Sequence, residues 1–208
     1  MIVTGLGKLN HLGVIDALGD DRVKRMMNSA IRFLDKELFD EYEELKKRNP
    51  EKMDENHLST HHIQYLYARS FFRHIMINPL HETAYKYFEH QSETYWQKQN
   101  NYLQGMIALA LHRNKKDAVP ELIITSLKDR ALHNDEMGMY WRSDAGYFWY
   151  EAPIESQAMM IEVFDEVTDD RKSVEEMKIW LLKQKQTQDW GNDRATNEAV
   201  YARRGRGG

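Results

Sequence analysis

The sequence predicts an all-α protein built of antiparallel helical hairpins, and three observations carry the prediction. Apolar residues recur at three- and four-residue steps through most of the chain. Only four prolines and eleven glycines interrupt 208 residues, so long helices are permitted. The breaks between periodic runs are short, and short links make antiparallel neighbours of about eight or nine helices. The helix pairs do not align into a repeat of fixed length, which argues against a regular solenoid of a named class.

The first ten residues lack the basic start and apolar run of a signal peptide and read as the middle of an amphipathic helix, as if the chain began inside a domain. From Asp20 or Asp21, which serve as caps, Val23, Met27, Ile31, Leu34, Leu38 and Leu45 trace one apolar stripe that ends before Asn49-Pro50. A polar loop follows. Ser59 or Thr60 caps a second helix carrying Ile63, Leu66, Tyr67, Phe71, Ile75 and Met76, apolar on more than one side and so expected to bury two faces. Asn78-Pro79 breaks it, and a third helix runs to about residue 97.

Asn100-Asn101 leads into a fourth strongly apolar run around Met106 and Leu111. Asp117 is placed to cap the next helix, with Pro120 tolerated in its first turn, and Asn134-Asp135 is expected to end it. Residues 137–152 break the pattern: they are rich in aromatics, hold Ser-Asp-Ala-Gly turn chemistry at 143–146, and read as a long ordered loop or small hairpin. A helix resumes after Pro153. Ser173 with Glu176 reads as the capping box of the last long helix, through Trp180 and Leu181. Trp190-Gly191 turns the chain, and a further helix restarts towards Tyr201. One domain is expected over 1–202, followed by a flexible basic tail at 203–208.

Composition narrows the function classes. Hydrophobic residues make up 41% and charged residues 30%, with a net charge of −4, an ordinary globular balance. A pI near 6.1 implies no basic face for nucleic acid. With no cysteine, the chain has no disulfide framework, thiolate zinc site or thiol nucleophile. No apolar run reaches the roughly 20 residues of a membrane span. No phosphate-cradling glycine loop or nucleophile elbow occurs, and no cofactor or metal is expected.

Three constellations invite a chemical reading. His57, His61 and His62 cluster near Glu55, with His57 and His61 four apart, but the base glutamate of a zinc-protease helix is missing; helix capping or a surface position is the favoured reading. His74, near the end of the second helix, suits its negative dipole end. Asp144, Glu151 and Glu155 flank the aromatic segment, and acid pairs beside aromatics are what glycoside cleavage uses. The segment itself is a candidate interaction loop comprising Tyr140, Trp141, Arg142, Tyr147, Trp149, Tyr150 and Glu151; the blander reading has its rings plugging the end of a helical barrel. Trp180, Trp190 and Gly191 are read as structural anchors.

The segments Met137–Trp141 and Gly146–Phe164, continued by Trp180–Gln186, Trp190-Gly191 and Ala195–Tyr201, resemble the late part of the thioester-type helical domain of bacterial alpha-2-macroglobulins. Residues 5–14 resemble the helix that follows the thioester region. The resemblance implies an alpha/alpha toroid of inner and outer helices, in a periplasmic or cell-envelope protein that traps proteases. Its partners would be neighbouring domains of the parent protein, with proteases as the parent's targets. Thioester members use a Cys-x-Glu-Gln motif; this chain has no cysteine, so no thioester residue is carried over and the expected role is non-catalytic. The alternatives are a toroid enzyme acting on glycans or isoprenoids through Asp144, Glu151 and Glu155, and a plain helical interaction module.

Overall fold

The structure is a computed structural model, and it describes residues 2–11, 13, 20–142 and 153–187. It is all-α: the described residues form eight α-helices, two short 3-10 turns and one two-stranded hairpin. The chain divides into two compact units, Met1–Trp96 and Gln97–Gly208.

The first unit holds α1 (Ile2–His11), α2 (Asp21–Arg48), α3 (Thr60–Ser70) and α4 (Glu82–Tyr95). Helix α2 begins where the Asp20 carboxylate accepts the N–H groups of Arg22 and Val23. It stops at Asn49, whose N–H returns to the Leu45 carbonyl ahead of Pro50. Lys46, Lys47 and Arg48 in its last turn oppose the helix dipole. Its inward stripe places Met27 and Ile31 against Phe72 and Ile75, with Val3 and Leu6 of α1 beside them.

Helix α3 is shorter than the apolar periodicity predicts. It ends at Ser70 rather than running to Met76. The buried guanidinium of Arg69 explains the stop: it donates to the carbonyls of Phe72, at 2.5 Å, and Ile75. Those carbonyls then have no need of helical donors, and Phe71, Phe72 and Ile75 continue the core from a turn. His74 is therefore not in a last helical turn; it is exposed.

The second unit holds α5 (Asn101–Arg113), α6 (Ala118–Asp129), α7 (Pro153–Val167) and α8 (Arg171–Thr187). Eleven of the thirteen α5 residues are buried, so α5 is the unit's central helix, packed by α6 and α7. Gly105 lets it approach α7: a Cβ there would lie 2.7 Å from the Met159 side chain. Asn100 caps α5 through the Leu103 N–H.

Three local expectations are corrected. Asp117 stands at the N-cap position of α6 but gives its carboxylate to His112 Nδ1, at 2.6 Å, and caps nothing. Helix α6 ends at Asp129, and Asn134 instead makes a hairpin turn, its Oδ1 accepting the N–H groups of Glu136 and Met137. That turn joins β1 (Leu132–Asn134) to β2 (Gly138–Tyr140), antiparallel, with His133 opposite Met139. The hairpin thus begins five residues before the aromatic segment it was expected to lie in. Finally, α8 is capped by Asp170, which accepts the Ser173 N–H and hydroxyl, so Ser173 lies inside the helix and not at its cap.

Gly138 fixes the hairpin's seat. Its φ is +74°, and a Cβ there would overlap the Glu176 carbonyl of α8. Only glycine allows the strand to lie that close. Gln157 of α7 locks the same junction, its amide donating to the carbonyls of Met139 (2.8 Å) and Met177 (3.3 Å).

Candidate functional site

In the first unit, α2 presents Arg32 and Asp35 three residues apart, hence on neighbouring positions of one face. Helix α3 answers with Tyr65 and Arg69, four apart. The Tyr65 hydroxyl donates to Asp35 Oδ1 at 2.5 Å, and Arg69 Nε donates to the same oxygen at 3.1 Å. Asp35 and Arg69 are 2% and 4% exposed, so this is a buried ion pair. Burial and the adjacent Asp35 charge together hold the Tyr65 phenol far above its usual range, neutral and donating. Because Arg69 also grips the Phe72 and Ile75 carbonyls, the network fixes the non-helical segment that follows α3.

That segment contributes to a cleft of about 380 Å³ lined by Arg32 and Asp35 of α2 and by Met76, Ile77, Asn78, Pro79 and His81. His81 is held by stacking on Phe39, with ring centroids 5.0 Å apart. Asn78 Oδ1 accepts the Leu80 N–H, a turn that shapes the rim.

Two of the three histidines near α3, His57 and His62, are spent on structure. His62 Nδ1 accepts the Ser59 N–H while Ser59 Oγ accepts the His62 N–H, a reciprocal capping box. Since Nδ1 accepts, Nε2 carries the proton and donates to Glu41 at 2.8 Å. The ring stacks on Phe88 with centroids 3.7 Å apart. Burial pulls the His62 pKa below its usual value despite the Glu41 hydrogen bond. His57 bonds Lys52's carbonyl through Nε2, and its N–H donates to Gln91. His61 is exposed. Among the described residues no three His, Cys, Asp or Glu side chains are grouped to hold a metal ion.

In the second unit, the described part of the aromatic segment packs onto helices. Tyr140 stacks on Trp180, centroids 6.2 Å apart and planes 17° apart, and Trp180 is 7% exposed. Trp141 donates through Nε1 to the Leu127 carbonyl at 2.9 Å and leans on Phe164, over which Lys128 Nζ sits at 5.7 Å. Arg142 is exposed. Tyr147, Trp149, Tyr150, Glu151, Asp144, Trp190 and Gly191 lie outside the described residues. Glu155 is buried in the first turn of α7.

Sequence reading missed the polar cluster that ties α5 to α7. Arg113 reaches Glu166 through Nε at 2.8 Å and through a second nitrogen at 2.6 Å, and Glu162 at 3.0 Å. The paired Glu162 and Glu166, four apart on one helix face, were the available signal. Glu41, in the acidic stretch Glu41–Glu44 near the end of α2, is brought to His62 only by the fold.

No family profile, no curated protein and no solved structure matches this chain.

Proposed function

We propose that this chain is a non-catalytic helical scaffold, the toroidal domain of a bacterial alpha-2-macroglobulin-like protease trap. The observation that carries the scaffold reading is how the polar and aromatic groups are spent. Asp35, Tyr65 and Arg69 hold a turn. His62 and Ser59 cap a helix. Tyr140, Trp141 and Gln157 seat the hairpin on the helices. The short turns at 114–117 and 168–170 between packed helices fit the antiparallel pairs that a toroid would use. The resemblance of Gly146–Phe164 and Trp180–Gln186 to the macroglobulin domain supplies the family, the envelope location, and the partners: adjoining domains of a parent and, through it, proteases.

No described helix is long and apolar enough to cross a membrane. The test is a trapping assay. The parent polypeptide containing this segment is mixed with a protease, and turnover of a large protein substrate is compared with that of a short chromogenic peptide. Enclosure predicts loss of the first with retention of the second, because a small substrate still diffuses to an enclosed site. Loss of neither, or hydrolysis of glycans or isoprenoid diphosphates by the chain itself, overturns the proposal.

A further inference from the structure

The cleft of the first unit has a feature that a packing role does not use. Burying an ion pair such as Asp35–Arg69 costs desolvation energy that its attraction scarcely repays, so such a pair is weak evidence of stabilisation and better evidence of a geometry being held. The geometry held here is the 72–75 turn, through two carbonyls gripped by Arg69. The residues that follow directly, Met76 to Pro79 and His81, form one wall of the cleft. That wall is thus pinned from beneath.

The cleft's charge is one-sided. Asp35 lines it but is committed to Arg69 and Tyr65. Arg32, on the same face of α2, is exposed and makes no ion pair among the described residues. Asn78 uses its Oδ1 for the Leu80 turn, which leaves its amide N–H groups as donors. The rest of the lining includes the apolar groups Met76, which is 85% exposed, Ile77 and Pro79. A volume of about 380 Å³ falls within the roughly 300–1,000 Å³ of small-ligand pockets.

We propose that this cleft is a binding site for an apolar carboxylate, with Arg32 taking the carboxylate and Met76, Ile77 and Pro79 taking the apolar body. A planar guanidinium matches a carboxylate through two parallel hydrogen bonds, and Asn78, which also lines the cleft, supplies a neutral donor. The same chemistry has two sources: the terminal residue of a peptide chain, or a free aliphatic acid. The site stands independently of the scaffold reading.

The experiment is an NMR titration of the full ¹⁵N-labelled chain with three probes: N-acetyl-leucine, its uncharged amide, and octanoate. The expected result is saturable binding of at least one acid at about 1 mM or tighter, with shifts confined to Arg32, Ile77, Asn78 and His81. The amide should bind at least about tenfold more weakly, as should either acid to Arg32→Gln, because a charge-assisted hydrogen bond is lost. Arg22→Gln, on the same helix but outside the cleft, should bind normally. Tighter N-acetyl-leucine marks a chain end as the source, tighter octanoate an aliphatic acid. Met76→Ser, an exposed change that spares the fold, should weaken octanoate most. Equal binding of acid and amide, unchanged binding by Arg32→Gln at an unchanged melting temperature, or no saturable shift at the probes' solubility limit would overturn it.

Discussion

The two units solve the same packing problem with different materials. In the first, a buried ion pair of Asp35 and Arg69, with the neutral Tyr65 donating to it, holds a stretch of chain that is not helical. In the second, the central helix α5 is wrapped in apolar side chains, and its charged cluster at Arg113 sits at the helix end. The difference teaches where each unit is vulnerable. The first should fail when one charge is removed, because the other is stranded; the second should fail when volume or a close approach is altered.

Gly138→Val gives the largest expected effect. It combines a positive φ with overlap on the Glu176 backbone, for a loss of about 3–5 kcal/mol, read by urea denaturation. Asp35→Ala comes next, at about 3 kcal/mol, the lower end of the cost of stranding one member of a buried ion pair. The comparison is sharpened by the double variant Asp35→Ala/Arg69→Met. It should be less damaged than Asp35→Ala alone, since no charge is left buried; equal or greater damage would mean that the turn, not the stranded charge, carries the cost. Trp180→Ala should cost about 3 kcal/mol by emptying a buried ring site, with no comparable rescue by a second charge change.

A smaller effect is expected with pH. The folded pKa of His62 is depressed, so below its ordinary value of 6.5 the unfolded chain binds the proton more readily than the folded one. Its contribution is complete above pH 6.5 and is lost as pH falls through the folded pKa. Protonation puts a hydrogen on Nδ1, facing the Ser59 N–H it now accepts, so the capping box breaks. A melting temperature that falls between neutral pH and pH 5, and falls less in His62→Gln, checks this. Asp170 shifts in the same direction, chiefly because Lys128 donates to it, so its contribution is lost only as pH falls below the ordinary carboxylate value of 3.8. The half-exposed Lys128 makes this the smallest effect of the set.

Much of the fold is legible in the sequence because local signals agree. Asp20 caps α2, the stripe through Met27, Ile31 and Leu38 is buried, and Asn49-Pro50 ends the helix. The failures share one physical cause: a residue type fits two jobs. Phe71, Phe72 and Ile75 keep helical spacing and are core residues, yet they lie in a turn, because periodicity reports burial and not backbone conformation. Asp117 has a cap's chemistry and serves His112; Asp170 and Ser173 both qualify as caps, and the more strongly accepting carboxylate wins. The cleft was illegible. Asp35 and Arg69 are 34 positions apart, and nothing local marks them as partners. Within the aromatic segment, Tyr140 and Trp141 announce themselves by type, but their partners Trp180 and Leu127 come from helices that only the fold brings together.

The central claim is that this chain acts through its packing. The direct measurement is protease trapping by the proposed parent polypeptide against the folded fraction of this region, across Asp35→Ala, Trp180→Ala and the exposed Arg142→Gln. The account predicts that trapping tracks the folded fraction, falling for the first two and holding for the third. Trapping abolished by Arg142→Gln with folding intact, or preserved in an unfolded Trp180→Ala, would contradict it.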